Sequence, residues 1–113
     1  MDKRIIRTKR AIRSAFLDLR KEQPLEEIKV IDICALSVIN KTTFYKYYTD
    51  IFDLNSAIEN EVFASFMDDF KGFQLLFTDT AGFIHSLNDA LSKQGSVFQT
   101  LFSDRIDVFF SML

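Results

Sequence analysis

The sequence predicts an all-α fold on three observations. Apolar residues recur at helical spacing through most of the chain. No alternation of period two lasts long, so strands are not expected. Only 3 glycines and 1 proline interrupt 113 residues. With 48% hydrophobic and 27% charged residues, the composition is that of a folded chain rather than a disordered one.

The first helix is expected from Ile5 to Glu22. Ile5, Thr8, Ile12, Ala15, Phe16 and Leu19 share one side at 100° per residue, and Arg7, Arg10 and Arg13 lie off it. Pro24 disfavours a helical residue before it, so the helix should stop near Gln23. Leu25 and Ile28 anchor the loop that follows. A short second helix then carries Val30, Ile33, Cys34 and Leu36 inward. Lys29 is a weak residue for its N-cap. After a tight turn over "SVI", Asn40 caps a third helix that runs through Tyr48.

Asp50 caps the fourth helix, and Asp53 adds negative charge to its first turn. This helix carries two stripes. Ile51, Leu54, Ile58 and Val62 form one; Phe63, Phe66, Met67 and Phe70 form another, rotated by about 100°. Gly72 is its expected stop. Further helices are expected at 80–93 and 97–113, with Gly95 and Ser96 between them. The last shows Val97, Phe98, Leu101, Phe102, Val108, Phe109, Met112 and Leu113 and has no stop signal. The expectation is that the second half is the front part of a longer domain; a terminal helix docked elsewhere is the alternative.

The net charge of -2 hides a split. Residues 1–50 hold 11 Lys and Arg against 7 Asp and Glu, while residues 51–113 hold 3 against 9. A basic first half suits a polyanion, although chance drift of charge would also produce such a split. The single cysteine, Cys34, excludes an intrachain disulfide and a multi-cysteine metal site. A reducing, cytoplasmic setting fits it. Neither a secretory leader nor a membrane span is expected, since no apolar run reaches about 18 residues.

The third helix is two-sided. Phe44 and Tyr48 are four apart and share the anchoring side. Thr42, Thr43, Lys46 and Tyr47 cluster opposite, with Tyr45 on the flank. Hydroxyls, an ammonium and a phenol suit phosphate oxygens and base edges. Two short helices joined by a three-residue turn, the second exposed in this way, describe a helix-turn-helix. The arginines of the first helix add phosphate attraction.

"DICALSVINKTTFYKYYTDIFDL" resembles the helix-turn-helix and following helix of the TetR/AcrR transcriptional regulators. Their pattern there runs roughly D-I-A-x-x-A-G-V-S-x-G-T-F-Y-x-H-F-x-x-K-x-x-L. The resemblance covers about residues 7–62 and is closest to the branch with Asn before the recognition helix. It implies that Thr43 and Lys46 face the groove and that Tyr45 and Tyr47 touch phosphate. With Lys41 and Thr42, these make the DNA-facing set Lys41, Thr42, Thr43, Tyr45, Lys46 and Tyr47. Phe44 and Tyr48 match core positions. The chain departs from the family at Val38, where a turn glycine is usual, at Ile31, where some relatives are polar, and at Ile51, where lysine is frequent. The resemblance further implies a homodimer on a palindromic operator and a C-terminal helical domain with a pocket for a small-molecule effector.

The expected organisation is therefore a three-helix helix-turn-helix domain over residues 1–50, packed against the start of the helix from 51. A partial helical regulatory and dimerisation domain follows over 51–113. The expected function is a sequence-specific DNA-binding regulator, a repressor released by a ligand. The alternative is a helical protein-interaction module that does not bind DNA; its support is the missing lysine at 51, the valine at 38 and the net acidity. No nucleophile motif, glycine-rich phosphate loop or paired-carboxylate setting points to an enzyme, and no cofactor or metal site is expected. Cys34 reads as a small core residue, His85 as a surface or core-rim residue, and Asp68–Asp69 as solvated surface.

Overall fold

The computed structural model of the chain describes residues 2–70 and 72–102. Among them every regular element is helical. Five α-helices follow one another: α1 (Lys3–Glu22), α2 (Val30–Ser37), α3 (Lys41–Tyr47), α4 (Ile51–Asp69) and α5 (Thr80–Lys93). Short 3-10 turns at Leu25–Glu27 and Phe73–Leu75 fill two of the connections, and residues 96–102 are again helical. Val108, Phe109, Met112 and Leu113 of the expected last helix lie outside the described residues. The chain divides into two compact units, with the boundary between Ile58 and Glu59.

In the first unit α1 packs on α2, and α2 on α3. Ile12, Phe16, Ile33, Phe44 and Leu54 are fully withdrawn from solvent, with Ala15, Ile28, Cys34, Ile51 and Ile58 close behind. Helix α1 starts two residues earlier than its apolar stripe. The Asp2 carboxylate accepts the Arg4 N–H at 2.9 Å, which satisfies one of the donors that every helix start leaves open. Its stop is as expected: Gln23 is extended and donates its N–H to the Leu19 carbonyl.

Leu36 is 55% exposed and does not pack inward. Helix α2 has only eight residues, and its inward line is held by Ile33 and Cys34. Lys29 provides no side-chain cap. Asn40 does cap α3, which ends at Tyr47; Tyr48 is already extended. At the head of α4 the Asp53 N–H donates to Asp50 Oδ1 and the Asp53 carboxylate accepts the Thr49 N–H, both at 2.8 Å. This reciprocal pair does more than place charge, because it satisfies two open donors at once.

The two-stripe reading of α4 is corrected. Leu54, Ile58, Val62, Phe66 and Phe70 are all buried, whereas Phe63 is 51% and Met67 37% exposed. The buried positions recur every four residues, so the line drifts by about 40° at each step and changes side gradually along the helix rather than at one point.

In the second unit Phe66, Phe70 and Ala90 form the core, with Phe83, Leu87, Leu91 and Phe98 packed against them. The Phe66 and Phe70 rings stack at 5.7 Å, and Phe73 and Phe83 meet Phe70 edge-on at 4.6 and 5.6 Å. Gly72 lies beyond the end of α4, where it precedes the 3-10 turn. Its φ is unremarkable, but a Cβ there would sit 2.7 Å from Ser86 Cβ. The close approach of this segment to α5 is what requires glycine. Asp79 caps α5 by accepting the Gly82 N–H at 3.0 Å. No helix among the described residues is long and apolar enough to cross a membrane.

Candidate nucleic-acid interface

Helix α3 is set by its two ends. At the start, Asn40 Oδ1 accepts both the backbone N–H and the hydroxyl of Thr43, each at 3.0 Å. At the end, the Tyr48 N–H returns to the Phe44 carbonyl. Phe44 is the anchor, fully buried, and meets the Tyr45 ring edge-on at 5.4 Å and the tilted Tyr48 ring at 5.7 Å. With one residue fixed inside, the helical pitch turns Lys41, Thr42, Tyr45 and Lys46 outward, and all four are exposed.

Thr43 and Tyr47 lie on the margin and are half-buried. Since the Thr43 hydroxyl donates to Asn40, it offers an outside partner its lone pairs and methyl group rather than a proton. Asn40 is exposed, and its oxygen is the capping atom, so its Nδ2 protons face no competing role in the cap.

The Tyr47 ring gathers cations from two helices. Lys9 Nζ of α1 lies 5.5 Å from the ring centroid and Lys46 Nζ 5.9 Å, both within cation–π range. Arg4 and Thr8, one turn apart on α1, complete the rim. Together with Cys34, Ala35, Val38, Ile39, Asn40, Thr43, Lys46 and Tyr47 they line an open concavity of about 780 Å³. Among the described residues, no carboxylate lines it. Cys34 forms part of its floor; burial pushes its thiol up, with the Lys41 charge acting in the opposite direction. The sulfur is therefore a neutral thiol near pH 7, not a reactive thiolate.

The connection between α2 and α3 is residues 38–40. The N–H groups of Val38 and Ile39 both donate to the Cys34 carbonyl, the latter at 3.0 Å. This closing pattern requires a left-handed residue, normally glycine. Val38 takes it, with φ 58° and ψ 50°, and is the one described non-glycine residue at positive φ. The turn does not avoid positive φ; it imposes it on a β-branched side chain.

All six expected residues thus fall on one helix, and they divide by whether they border the concavity. Lys46, Tyr47 and Thr43 border the concavity, while Lys41, Thr42 and Tyr45 stand outside its lining. The sequence reading missed Arg4, Lys9 and Asn40. Arg4 lies before the apolar stripe of α1 and enters the helix only through the Asp2 cap. The Lys9 contact spans helices 38 positions apart in sequence, so no local pattern could reveal it. No protein-family model, curated protein or solved structure matches this chain.

Proposed function

We propose that this chain is a DNA-binding transcriptional regulator whose first unit works as a helix-turn-helix. Helix α3 enters the major groove, and the cations of α1 and α3 hold the flanking phosphates. The observation that carries this reading is the two-sidedness of α3: Phe44 is sealed inside while Lys41, Thr42, Tyr45 and Lys46 face solvent. The carboxylate-free concavity beside it, rimmed by Arg4, Lys46 and the Lys9–Tyr47 pair, supports a polyanion as the partner. The likeness of residues 32–54 to the TetR/AcrR motif supports the same reading.

In this account two copies act together as a repressor. Their recognition helices meet successive major grooves roughly 34–36 Å apart on a palindromic operator. A small effector releases the operator by binding a dimer geometry with a different spacing more tightly, because a ligand shifts only equilibria whose states it binds unequally. The test is Lys46→Ala on a duplex selected from a random pool. If Lys46 reads a base, affinity falls by about 1–3 kcal/mol. If it holds only phosphate, the salt slope falls by about one unit instead. Unchanged affinity and slope would remove Lys46 from the interface.

A protein-interaction role for the second unit has its own support. Phe77 is 94%, Phe73 53% and Phe63 51% exposed, so three aromatic rings of this unit are open to a partner. If that role excludes DNA, no duplex is retained at any salt concentration.

A further inference from the structure

We propose that Val38 is a thymine-reading residue, so that the DNA site carries a thymine whose C5-methyl group packs against the turn between α2 and α3. The inference rests on the DNA-binding reading above.

It starts from a residue that the fold does not explain. The hydrogen bonds that end α2 demand a left-handed backbone at position 38, which glycine supplies without strain and valine does not. A strained residue persists where something else compensates. Packing within the chain is not that compensation, because Val38 is 88% exposed. Its two methyl groups stand in water in the free protein.

The surroundings indicate what would cover them. Val38 borders the same concavity as Arg4, Thr43 and Lys46, which no carboxylate of the described residues lines. On α2, Ile31 and Ala35 are four apart and share a side, and Ala35 lines the concavity together with Val38; both are exposed, Ile31 by 57%. An apolar strip therefore runs beside a cationic hollow. Duplex DNA offers that combination: phosphates along the backbone, and in the major groove one apolar group, the thymine C5-methyl. A purely acidic partner would match the cations and leave the valine without purpose. An apolar protein partner would match the strip and leave the cations without purpose.

The test needs no change in the protein at first. A duplex is selected from a random pool with the full chain, and each thymine in turn is replaced by uracil, which removes the methyl group alone. The expected result is one position per half-site at which uracil weakens binding about fourfold, the worth of one buried methyl group. Val38→Gly should make that position indifferent to uracil while leaving the salt slope of binding unchanged. Val38→Asn, which tolerates the left-handed backbone and carries no methyl group, should likewise abolish the preference if the glycine variant fails to fold. Salt-sensitive binding with no uracil-sensitive position overturns the thymine contact and leaves the DNA reading standing. Uracil sensitivity that persists in Val38→Gly and Val38→Asn also overturns it. Absence of duplex binding at low salt overturns both.

Discussion

Val38 and Phe44 mark the two extremes of what a residue does in the first unit. Phe44 is fully buried, and its ring touches two tyrosines. Phe44→Ala should destabilise the unit by about 3–5 kcal/mol, read as a lower urea midpoint, because the cavity left between helices cannot collapse fully. Val38 does the opposite. A left-handed L-residue is strained by roughly 1–2 kcal/mol, and the exposed side chain returns little of it. Val38→Gly should therefore raise stability by about 1 kcal/mol, which for a unit of this size lifts the thermal midpoint by about 4–8 °C. A lowered midpoint would mean that the valine is held by packing after all. Cys34 supplies a pH test. Its folded thiol is pushed up by burial, so it is neutral in both states at neutral pH and its stabilising balance is lost as pH rises past the ordinary thiol range near ~8.5. Urea midpoints should fall more steeply with pH above that value in the parent chain than in Cys34→Ala; parallel curves would contradict the burial effect.

At the level of elements, most of the helices were legible because periodicity and caps agree. Asn40, Asp50 and Pro24 each stand where a helix begins or ends, and α5 falls within the expected 80–93. Three features were not legible, each for a physical reason. Asp2 and Arg4 lie outside the apolar stripe, so only the capping hydrogen bond draws them into α1. The inward line of α4 drifts by a small angle at every step, and a phenylalanine on each side of the drift looks alike on a helical wheel. Val38 carries a residue type that argues against the backbone it adopts. Helix α3 has only seven residues, too few to persist by propensity alone, so its cap matters. Asn40→Ala should cost about 1 kcal/mol of stability and, through fraying of the first turn, weaken DNA binding together with it. Gly72→Ala should destabilise the second unit, because its new Cβ would sit 2.7 Å from Ser86 Cβ. Hydrogen exchange localised to α5 and its preceding turn would check this, and protection equal to the parent chain would show that the segment yields.

Across the whole molecule, charge is not spread evenly. The chain is acidic overall at -2, yet its surplus of lysine and arginine lies in the first 50 residues, where Arg4, Lys9 and Lys46 converge near Tyr47. The sequence reading picked out α3 from its two-sided pattern. It could not find the concavity, which exists only once α1 and α3 are brought side by side. The central claim is that this convergence binds a nucleic-acid backbone. It is tested most directly by fluorescence anisotropy of a labelled random duplex titrated with the full chain between about 50 and 200 mM salt. The account predicts retention at low salt and a log–log slope of about -0.9 for each phosphate held, reduced in Arg4→Ala and Lys9→Ala. No retention at any salt, or a slope indifferent to both substitutions, would contradict it.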